Sequence, residues 1–322
     1  MTLFHKKLLD SLGVLDWGYT EESIPRSFDH FSQWTKKDAG SLTYLTDHRK
    51  NLRSDIKKVY PDFQSALVFL FSYQEEKKFL LEENDFNVAG YSLGYGGEDY
   101  HFELARRLKV LFDFLNLENA EFKISLDIQP VLERDLAYRA GLGWFGKNSM
   151  LISREHGSYF LIGSLLLNQK LDLPQKELSP DHCGKCRLCI DHCPTLAIDP
   201  HSRTVIADLC LSTFTIEVMR EVSPPSGYEK SRGEIFGCDI CQDICPWNKK
   251  VLKTKEIKKF LSVRSLKLLN WLGRDPKLIL DELDVMSKRG VKKFFQGTVF
   301  ERPGKIGWIK NLKAKLTYFQ PK

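Results

Sequence analysis

The 322-residue sequence has no uninterrupted run of eighteen or more apolar residues, the length that a membrane-spanning helix requires. Its first residues, MTLFHKKLLDSLG, lack the small-residue cleavage site of a signal peptide and contain no twin-arginine export signal. We therefore expect an amphipathic N-terminal helix and a cytoplasmic protein without a membrane partner. In the cytoplasm, the eight cysteines are expected to be metal ligands and not disulfides.

Acidic residues are scarce in the last part of the chain. Residues 251–322 contain 18 Lys and Arg against 6 Asp and Glu, whereas the preceding 250 residues contain 30 against 36. This asymmetry favours contact between the C-terminal part and a polyanion such as a nucleic acid. A solvated helical surface gives the same composition and is the alternative.

Cysteine is absent before residue 183 and after residue 245, so the cysteines form one module. The segment CGKCRLCIDHCP has the C-x2-C-x2-C-x3-C-P spacing of bacterial ferredoxins, in which the fourth cysteine binds the other cluster. The segment CDICQDICPW repeats the last three positions of that pattern from residue 238 onwards. Cys210 is the one cysteine left to supply the missing ligand.

Crossed ligands, as in ferredoxins, predict two [4Fe–4S] clusters that use all eight cysteines. The ligands of one cluster are Cys183, Cys186, Cys189 and Cys245. The ligands of the other are Cys193, Cys210, Cys238 and Cys241. Pairs of cysteines at this spacing also bind zinc, but two runs that end in Cys-Pro favour iron–sulfur clusters. Two clusters imply one-electron transport towards a chemical site in the preceding domain.

Residues 1–60 are predicted to contain helices and loops. From there to about residue 175, strand and helix patterns are mixed. SALVFLFSY and SYFLIGSLLL have the length of buried strands, and EFKISLDI alternates in polarity as a strand does. DYHFELARRLKVLFDFL predicts a helix capped by Asp99, and PVLERDLAYRAG predicts a helix that Gly141 closes. In EFKISLDI, the alternating apolar residues are expected to face the buried side of the strand, and Ile128 is one of them.

These elements predict an α+β protein in three parts. Residues 1–175 form an α/β catalytic domain, and residues 176–250 form a ferredoxin-like module with two [4Fe–4S] clusters. Residues 251–322 form a basic, mostly helical tail that contacts nucleic acid. The polar segment NQKLDLPQKELSPDH, with its two prolines, marks the first boundary.

The segment GLGWFGKNS satisfies G-x-G-x-x-G and falls one residue short of a phosphate-binding P-loop. Both motifs need a strand before the glycines, whereas a helix is predicted here. Asn148 also stands where a P-loop needs Ser or Thr. We therefore exclude triphosphate binding, do not favour a dinucleotide, and expect either a tight turn or a close approach to a flat or phosphate-bearing ligand.

Taken in order, DIQPVLERDLAYRAGLGWFGKNSMLI, GSYFLIG, the ferredoxin run, CLSTFTIE and CDICQDICPWN resemble the epoxyqueuosine reductase family. The resemblance extends from about Leu42 to GTVFERPGKIGWIKNL. It implies a cobalamin-binding domain of the nitroreductase and reductive-dehalogenase type beside two [4Fe–4S] clusters. It also implies reduction of epoxyqueuosine to queuosine at the wobble position of tRNA by cob(I)alamin, which the clusters supply with electrons.

The resemblance further implies roles for individual residues. Asp127, in its D-x-x-P context, is the proton donor, and burial beside a macrocycle is expected to raise its pKa; a helix-start aspartate is the structural alternative. Lys310 stands where arginine is expected to contact an RNA phosphate, so we expect a contact without the bidentate fork. The implied cobalamin contacts are Arg53, Lys147, Asn148, Ser212 and Asp239.

The implied partners are a tRNA anticodon stem-loop that carries epoxyqueuosine and an unidentified low-potential electron donor, and we expect a monomer. Two other functions fit parts of the sequence. A reductive dehalogenase-like corrinoid enzyme that acts on a small molecule shares the cofactors but has no use for a basic tail. A pure electron carrier shares only the clusters.

Overall fold

The structure is a computed structural model, and it describes residues 3–83, 86–254 and 262–319. The strands are β1 (Val14–Thr20), β2 (Ser65–Ser72), β3 (Phe122–Ser125), β4 (Trp144–Phe145), β5 (Leu151–Ile152) and β6 (Phe160–Leu167). Four of them form an antiparallel sheet in the order β1-β2-β6-β3. The other two, β4 and β5, form a short hairpin.

Helices make up most of the remaining regular structure. Those of the N-terminal part are α1 (Lys6–Ser11), α2 (Phe28–Lys37), α3 (Arg49–Leu52), α4 (Gln74–Glu83), α5 (Tyr100–Leu115) and α6 (Glu133–Arg139). Those of the cysteine module are α7 (Leu188–Asp191), α8 (Ile240–Asp243) and α9 (Pro246–Thr254). The last four are α10 (Val263–Leu272), α11 (Pro276–Val285), α12 (Lys288–Phe295) and α13 (Gly304–Tyr318). Within the described ranges, every helix is too short or too polar to cross a lipid bilayer.

The strand β2 is covered on both faces, which explains its continuous apolar sequence. Ala66 and Val68 pack in the same apolar cluster as Leu136 of α6. Leu67 and Phe69 belong to the cluster on the opposite face, which α5 covers. The sheet is thus held between α5 and α6.

The predicted α+β class is confirmed, and the predicted elements are present with shifted bounds. The carboxylate of Asp99 caps α5, and Gly141 adopts a positive φ of 74° after α6. The alternating segment forms a strand only over Phe122–Ser125, so the prediction that Ile128 is buried is wrong: this residue is 65% exposed. The prediction that residues 1–60 contain only helices and loops is also wrong, because β1 pairs with β2.

The C-terminal helices pack into the body of the protein. Trp308 of α13 is fully buried, and its ring lies 5.9 Å from that of Phe236 in the cysteine module. The same apolar cluster contains Leu80 of α4, so these helices join the N-terminal part to the module. The three predicted domain ranges stay a prediction, and residues 255–261 of the predicted tail lie outside the described residues.

Lys310 lies inside the protein, and the prediction that it contacts an RNA phosphate is wrong. The residue is 4% exposed. Its amine donates to the carbonyl of Val218 at 2.7 Å and to that of Phe214, and it lies 3.8 Å from the centre of the Phe214 ring. Burial lowers the pKa of Lys310 to about 7.

Asn311 reinforces the same contact. Its side-chain amide is fully buried and donates to the carbonyls of Thr215 and Ile235, each at 2.8 Å. Thr215 lies in a π-helical turn, Thr213–Glu217, that follows Cys210 directly. The helix α13 therefore holds the segment that carries this cysteine.

Lys310→Met keeps the length of the side chain but removes the amine that satisfies two buried carbonyl groups. We expect this substitution to lower the free energy of unfolding by about 1–3 kcal/mol, because unpaired buried polar groups are costly. RNA affinity should not change. Urea denaturation of the cluster-loaded protein, followed by tryptophan fluorescence, measures the effect. Lys313→Met, at an exposed position of the same helix, is the control; unchanged stability with lost RNA affinity would contradict the buried role.

Candidate functional site

All eight cysteines are free thiols, and they lie in two adjacent groups. In the first group, burial raises the pKa of the Cys189 thiol to about 11, and the neighbouring thiols of Cys183, Cys245 and Cys186 act in the same direction. Burial likewise raises the pKa of Cys245, which has Cys183 and Cys186 as neighbours. These four thiols are therefore neighbours.

In the second group, burial is again the main cause of the raised pKa values. The thiol of Cys193 also raises the pKa of Cys210, and the thiols of Cys241 and Cys210 raise that of Cys238. Cys241 is influenced by Cys210 and Cys193 and, from the first group, by Cys189. The grouping is the one that ferredoxin spacing predicts, while the ligand assignment itself stays a prediction.

Hydrogen bonds to sulfur are present in both groups. The indole N–H of Trp144 points to the sulfur of Cys183 at 3.5 Å, and the backbone N–H of Ala197 donates to that of Cys193 at 3.3 Å. Such bonds stabilise thiolates and tune the reduction potential of a bound cluster. Within the described ranges, no three His, Cys, Asp or Glu side chains are already placed as the ligands of a single metal ion.

The glycine segment forms the β4–β5 hairpin, and its close approach is to the chain itself. A Cβ atom on Gly143 would lie 2.2 Å from the carbonyl oxygen of Ile152. A Cβ atom on Gly146 would lie 2.6 Å from the side chain of the same residue. The glycines are therefore required by the packing of the hairpin.

The two polar residues of that hairpin contact the cysteine loops. The amine of Lys147 donates to the carbonyls of Gly184 and Cys186, each at 2.7 Å. Asn148 is 2% exposed, and its amide points to the carbonyl of Cys241 at 3.4 Å. One residue thus contacts each thiol group, and their predicted contact with cobalamin stays a prediction.

Asp239 is 3% exposed, and its carboxylate is engaged inside the protein. It accepts hydrogen bonds from the amine of Lys77 at 2.9 Å, the backbone N–H of Gly90 at 2.7 Å and the amide of Gln242 at 3.1 Å. The amine of Lys77 also lies 2.7 Å from the carboxylate of Asp243. These bonds give Asp239 a structural role, and its cobalamin contact stays a prediction.

Asp127 lies in the loop after β3, where it meets the first turn of α5. One carboxylate oxygen is 2.5 Å from Nε2 of His101, and the other accepts a hydrogen bond from the hydroxyl of Tyr100. The other ring nitrogen of His101 is 2.6 Å from the carboxylate of Asp99. The structure thus forms a continuous chain from the helix cap through the imidazole to the predicted proton donor.

The side chain of Asp127 is 58% exposed, and its burial beside a macrocycle stays a prediction. Burial of the His101 ring opposes its charge, but hydrogen bonds to Asp127 and Asp99 outweigh it and raise the pKa of His101 to about 9. The imidazole therefore holds a proton at neutral pH. Sequence reasoning missed His101, although it directly follows the cap and the first residue of α5.

Arg53 lies close to this acid–base chain and lacks a partner for part of its guanidinium. It is 7% exposed, and its Nη1 atom is buried without a hydrogen bond. Burial lowers its pKa, while the nearby carboxyl of Glu133 acts in the opposite direction. Burial raises the pKa of Glu133 itself to about 8. A buried donor without a partner favours an oxygen-bearing ligand, because such groups are otherwise satisfied.

Residues from three parts of the chain lie around Asp127, and we call this region the Asp127 site. Tyr44 lies close enough to Asp127, Glu217 and Arg302 for their charges to affect its pKa, which burial raises. Arg302 donates to the carboxylate of Glu217 at 2.7 Å. Glu217 ends the π-helical turn that follows Ser212, which is half-buried. This turn therefore connects the Asp127 site to Cys210 of the second thiol group.

Two protein-family models match the sequence. The model described as "Epoxyqueuosine reductase QueG, DUF1730" matches residues 53–127. The model described as "4Fe-4S double cluster binding domain" matches residues 182–248, which contain every cysteine. The second match confirms the prediction of two [4Fe–4S] clusters over the zinc alternative.

Curated relatives with the name epoxyqueuosine reductase match over most of the chain. The protein from Leadbetterella byssophila is 37% identical, over 74% of this chain and 75% of its own length. The protein from Cyclobacterium marinum is 32% identical, over 94% of this chain and 91% of its own length. This identity and coverage are sufficient to show a common family.

Solved structures show the same fold. The epoxyqueuosine reductase from Streptococcus thermophilus has a TM-score of 0.74 at 23% identity, over 98% of this chain and 81% of its own. An epoxyqueuosine reductase with a tRNA-Tyr epoxyqueuosine-modified tRNA stem loop has a TM-score of 0.70 at 24% identity, with the same coverage. At these identities the likeness concerns the fold.

The grouping of the thiols leads to a test by combined substitutions. Cys210→Ala and Cys186→Ala should each remove about half of the bound iron, because each disrupts one cluster. The double variant with both substitutions should lose nearly all of the bound iron. The double variant of Cys210→Ala with Cys238→Ala should lose no more iron than Cys210→Ala alone. Iron and sulfide analysis of anaerobically reconstituted protein measures the content. A complete loss with Cys210→Ala together with Cys238→Ala would contradict the grouping.

Proposed function

The chain belongs to the epoxyqueuosine reductase family, and from this premise we propose that it reduces epoxyqueuosine to queuosine at the wobble position of tRNA. Such a reaction converts an epoxide into an alkene with two electrons and two protons, and the oxygen leaves as water. The observation that carries the proposal is the Asp127 site, where Asp127, bonded to a protonated His101, lies near the turn that follows Cys210. A tRNA substrate implies a cytoplasmic location.

The cofactor that we propose for the Asp127 site is cobalamin. The buried and unpaired Nη1 of Arg53 supports this choice, because the amide and phosphate groups of a corrinoid carry acceptor oxygens. Bound cobalamin would supply the two-electron reduction that no protein side chain provides. We propose that Arg53 and Ser212 hold it. For Lys147, Asn148 and Asp239, the contacts within the protein support a structural role.

We propose Asp127 as the group that delivers a proton to the oxygen of the opening epoxide. The proton comes from the His101 imidazolium, whose Nε2 lies 2.5 Å from the exposed carboxylate of Asp127, and it passes through this carboxylate to the epoxide oxygen. Asp99 orients the ring from its other nitrogen. Glu133, with a pKa raised by burial to about 8, is a neutral acid near Asp127 and the second proton source. Two such sources suit a reaction that consumes two protons.

Family membership favours this function over a small-molecule reductive dehalogenase. The direct test gives the cluster- and cobalamin-loaded protein either epoxyqueuosine-containing tRNA or an organohalide. Mass spectrometry of the digested tRNA measures queuosine, and halide release measures the alternative. Queuosine formation without halide release is the expected result, and the reverse would overturn the proposal.

The proton chain predicts two distinct defects. Asp127→Asn should lower kcat by roughly a hundredfold or more, the usual effect of losing a general acid, with clusters and cofactor binding intact. In the unaltered protein, kcat should decline above about pH 9, because the raised pKa of His101 keeps its proton only below that value. His101→Gln should lower kcat and abolish this decline.

Queuosine formation measured between pH 6 and pH 10 distinguishes these outcomes. Iron content and the cobalamin spectrum are the controls for intact cofactors. Full activity of Asp127→Asn would refute the acid assignment. An unchanged pH profile in His101→Gln would refute the proton store while leaving Asp127 in place.

Exposed basic side chains of α12 support contact with the tRNA. This eight-residue helix carries Lys288, Arg289, Lys292 and Lys293, all of which are exposed. Four cations on one short helix suit the phosphate backbone, which supplies affinity without reading sequence. We propose that α12 binds the tRNA next to the modified nucleotide's stem.

Neutralising two of these cations should weaken binding in a salt-dependent way. We expect Lys292→Gln with Lys293→Gln to reduce tRNA affinity about tenfold at low salt, and to make the log–log salt dependence shallower by about 1–2. Fluorescence anisotropy at several salt concentrations measures both. Lys6→Gln with Lys7→Gln, in the exposed helix α1, is the matched control. Equal affinity and slope in both double variants would exclude α12 from the interface.

A further inference from the structure

We propose that an acidic one-electron carrier protein docks on residues 184–187 and reduces the cluster of the first thiol group. The carrier loses one electron and the cluster gains one, with no proton exchanged. The inference rests on the proposed function only in so far as that reaction needs an external reductant. It concerns where this reductant binds and what charge it bears.

The two thiol groups differ in their access to solvent. Residues 184–187, which include Cys186 of the first group, are all exposed, whereas the cysteines of the second group are half-buried. A Cβ atom added to Gly184 would meet no other atom within 4 Å. This loop can therefore be approached closely, and electron transfer slows steeply with distance.

The order of the two groups supports entry at this loop. The second group adjoins the Asp127 site through the π-helical turn after Cys210, which ends at Glu217. The first group adjoins the second, because the neighbouring residues Lys147 and Asn148 contact the carbonyls of Cys186 and Cys241. Electrons that enter at the exposed loop thus reach the Asp127 site through two neighbouring thiol groups.

The surface around the loop is basic. Lys185 lies in the loop, and α9, whose Trp247 ring lies 5.8 Å from that of His182, carries exposed Lys249 and Lys250. Two acidic side chains close in sequence to the loop are paired: Asp191 with Arg187 at 3.2 Å, and Asp181 with Arg203 at 2.6 Å. Since Arg187 is balanced by Asp191, the three lysines are left to attract an acidic partner.

A small charged contact of this kind is typical of transient electron transfer. Such encounters bury little surface and depend on electrostatic steering, which raises the association rate. A tRNA is also acidic, but its modified nucleotide must reach the Asp127 site, which lies nearer to the other thiol group. The position of the loop therefore favours a carrier protein over RNA.

The test reverses two charges on the full-length, cluster-loaded protein. Lys185→Glu with Lys249→Glu should slow cluster reduction by reduced flavodoxin, an acidic carrier, at least tenfold at low ionic strength. The salt dependence of that rate should disappear. Reduction by photoreduced deazariboflavin, a small uncharged reagent, should be unchanged. Stopped-flow absorbance of the clusters follows both reactions, and calorimetry with oxidised flavodoxin measures affinity.

Matched controls separate the outcomes. Lys6→Glu with Lys7→Glu should leave the flavodoxin rate unchanged, and Lys185→Glu alone replaces the double variant if the latter loses iron. An unaltered flavodoxin rate in the loop variant would overturn the proposal. Lost tRNA affinity with an unaltered flavodoxin rate would overturn it too and assign the loop to RNA. A flavodoxin effect in a protein that forms no queuosine would retain the docking site and refute only the proposed function.

Discussion

The buried contact between Lys77 and the carboxylates of Asp239 and Asp243 is the interaction on which the site depends. The amine lies 2.9 and 2.7 Å from the two carboxylates, and its side chain is 3% exposed. Both acids lie in the loop that supplies cysteines to both thiol groups, so this contact fixes the loop against α4. A buried ion pair is strongly specific in geometry, because loss of one partner leaves an uncompensated charge. This contact therefore fixes the position of the two thiol groups relative to the N-terminal part.

A second set of buried polar contacts lies between the cysteine module and the surroundings of Asp127. Lys310 and Asn311 hold the π-helical turn after Cys210, and the same turn ends at Glu217, whose charge affects Tyr44 as that of Asp127 does. A π-helical turn is rare and is frequent at functional sites. The C-terminal helices therefore do more than carry charge: they set the distance between Cys210 and the Asp127 site.

Local patterns in the sequence were sufficient to predict the core elements and the presence of two groups of cysteines. The β2 run is apolar because both faces are covered, and α5 shows its cap directly as Asp99. The strand β1 was missed because VLDWGYT lies at the edge of the sheet and mixes polar with apolar residues. The buried state of Asp239 was equally invisible, since its partner Lys77 lies 162 positions away. Burial of a charge depends on tertiary partners that no local pattern contains.

Net charge shows the same limit. The excess of cations after residue 250 suggested one basic surface. Lys310, however, is buried and cannot contact the negative charges of a partner. Part of that excess is exposed on α12, while a separate patch around residues 184–187 consists of cations that precede residue 251. Because the second patch surrounds the exposed thiol group and the first belongs to the C-terminal helices, two acidic partners need not compete. An enzyme that must take electrons from one partner while it holds another through a two-electron reaction requires such a separation.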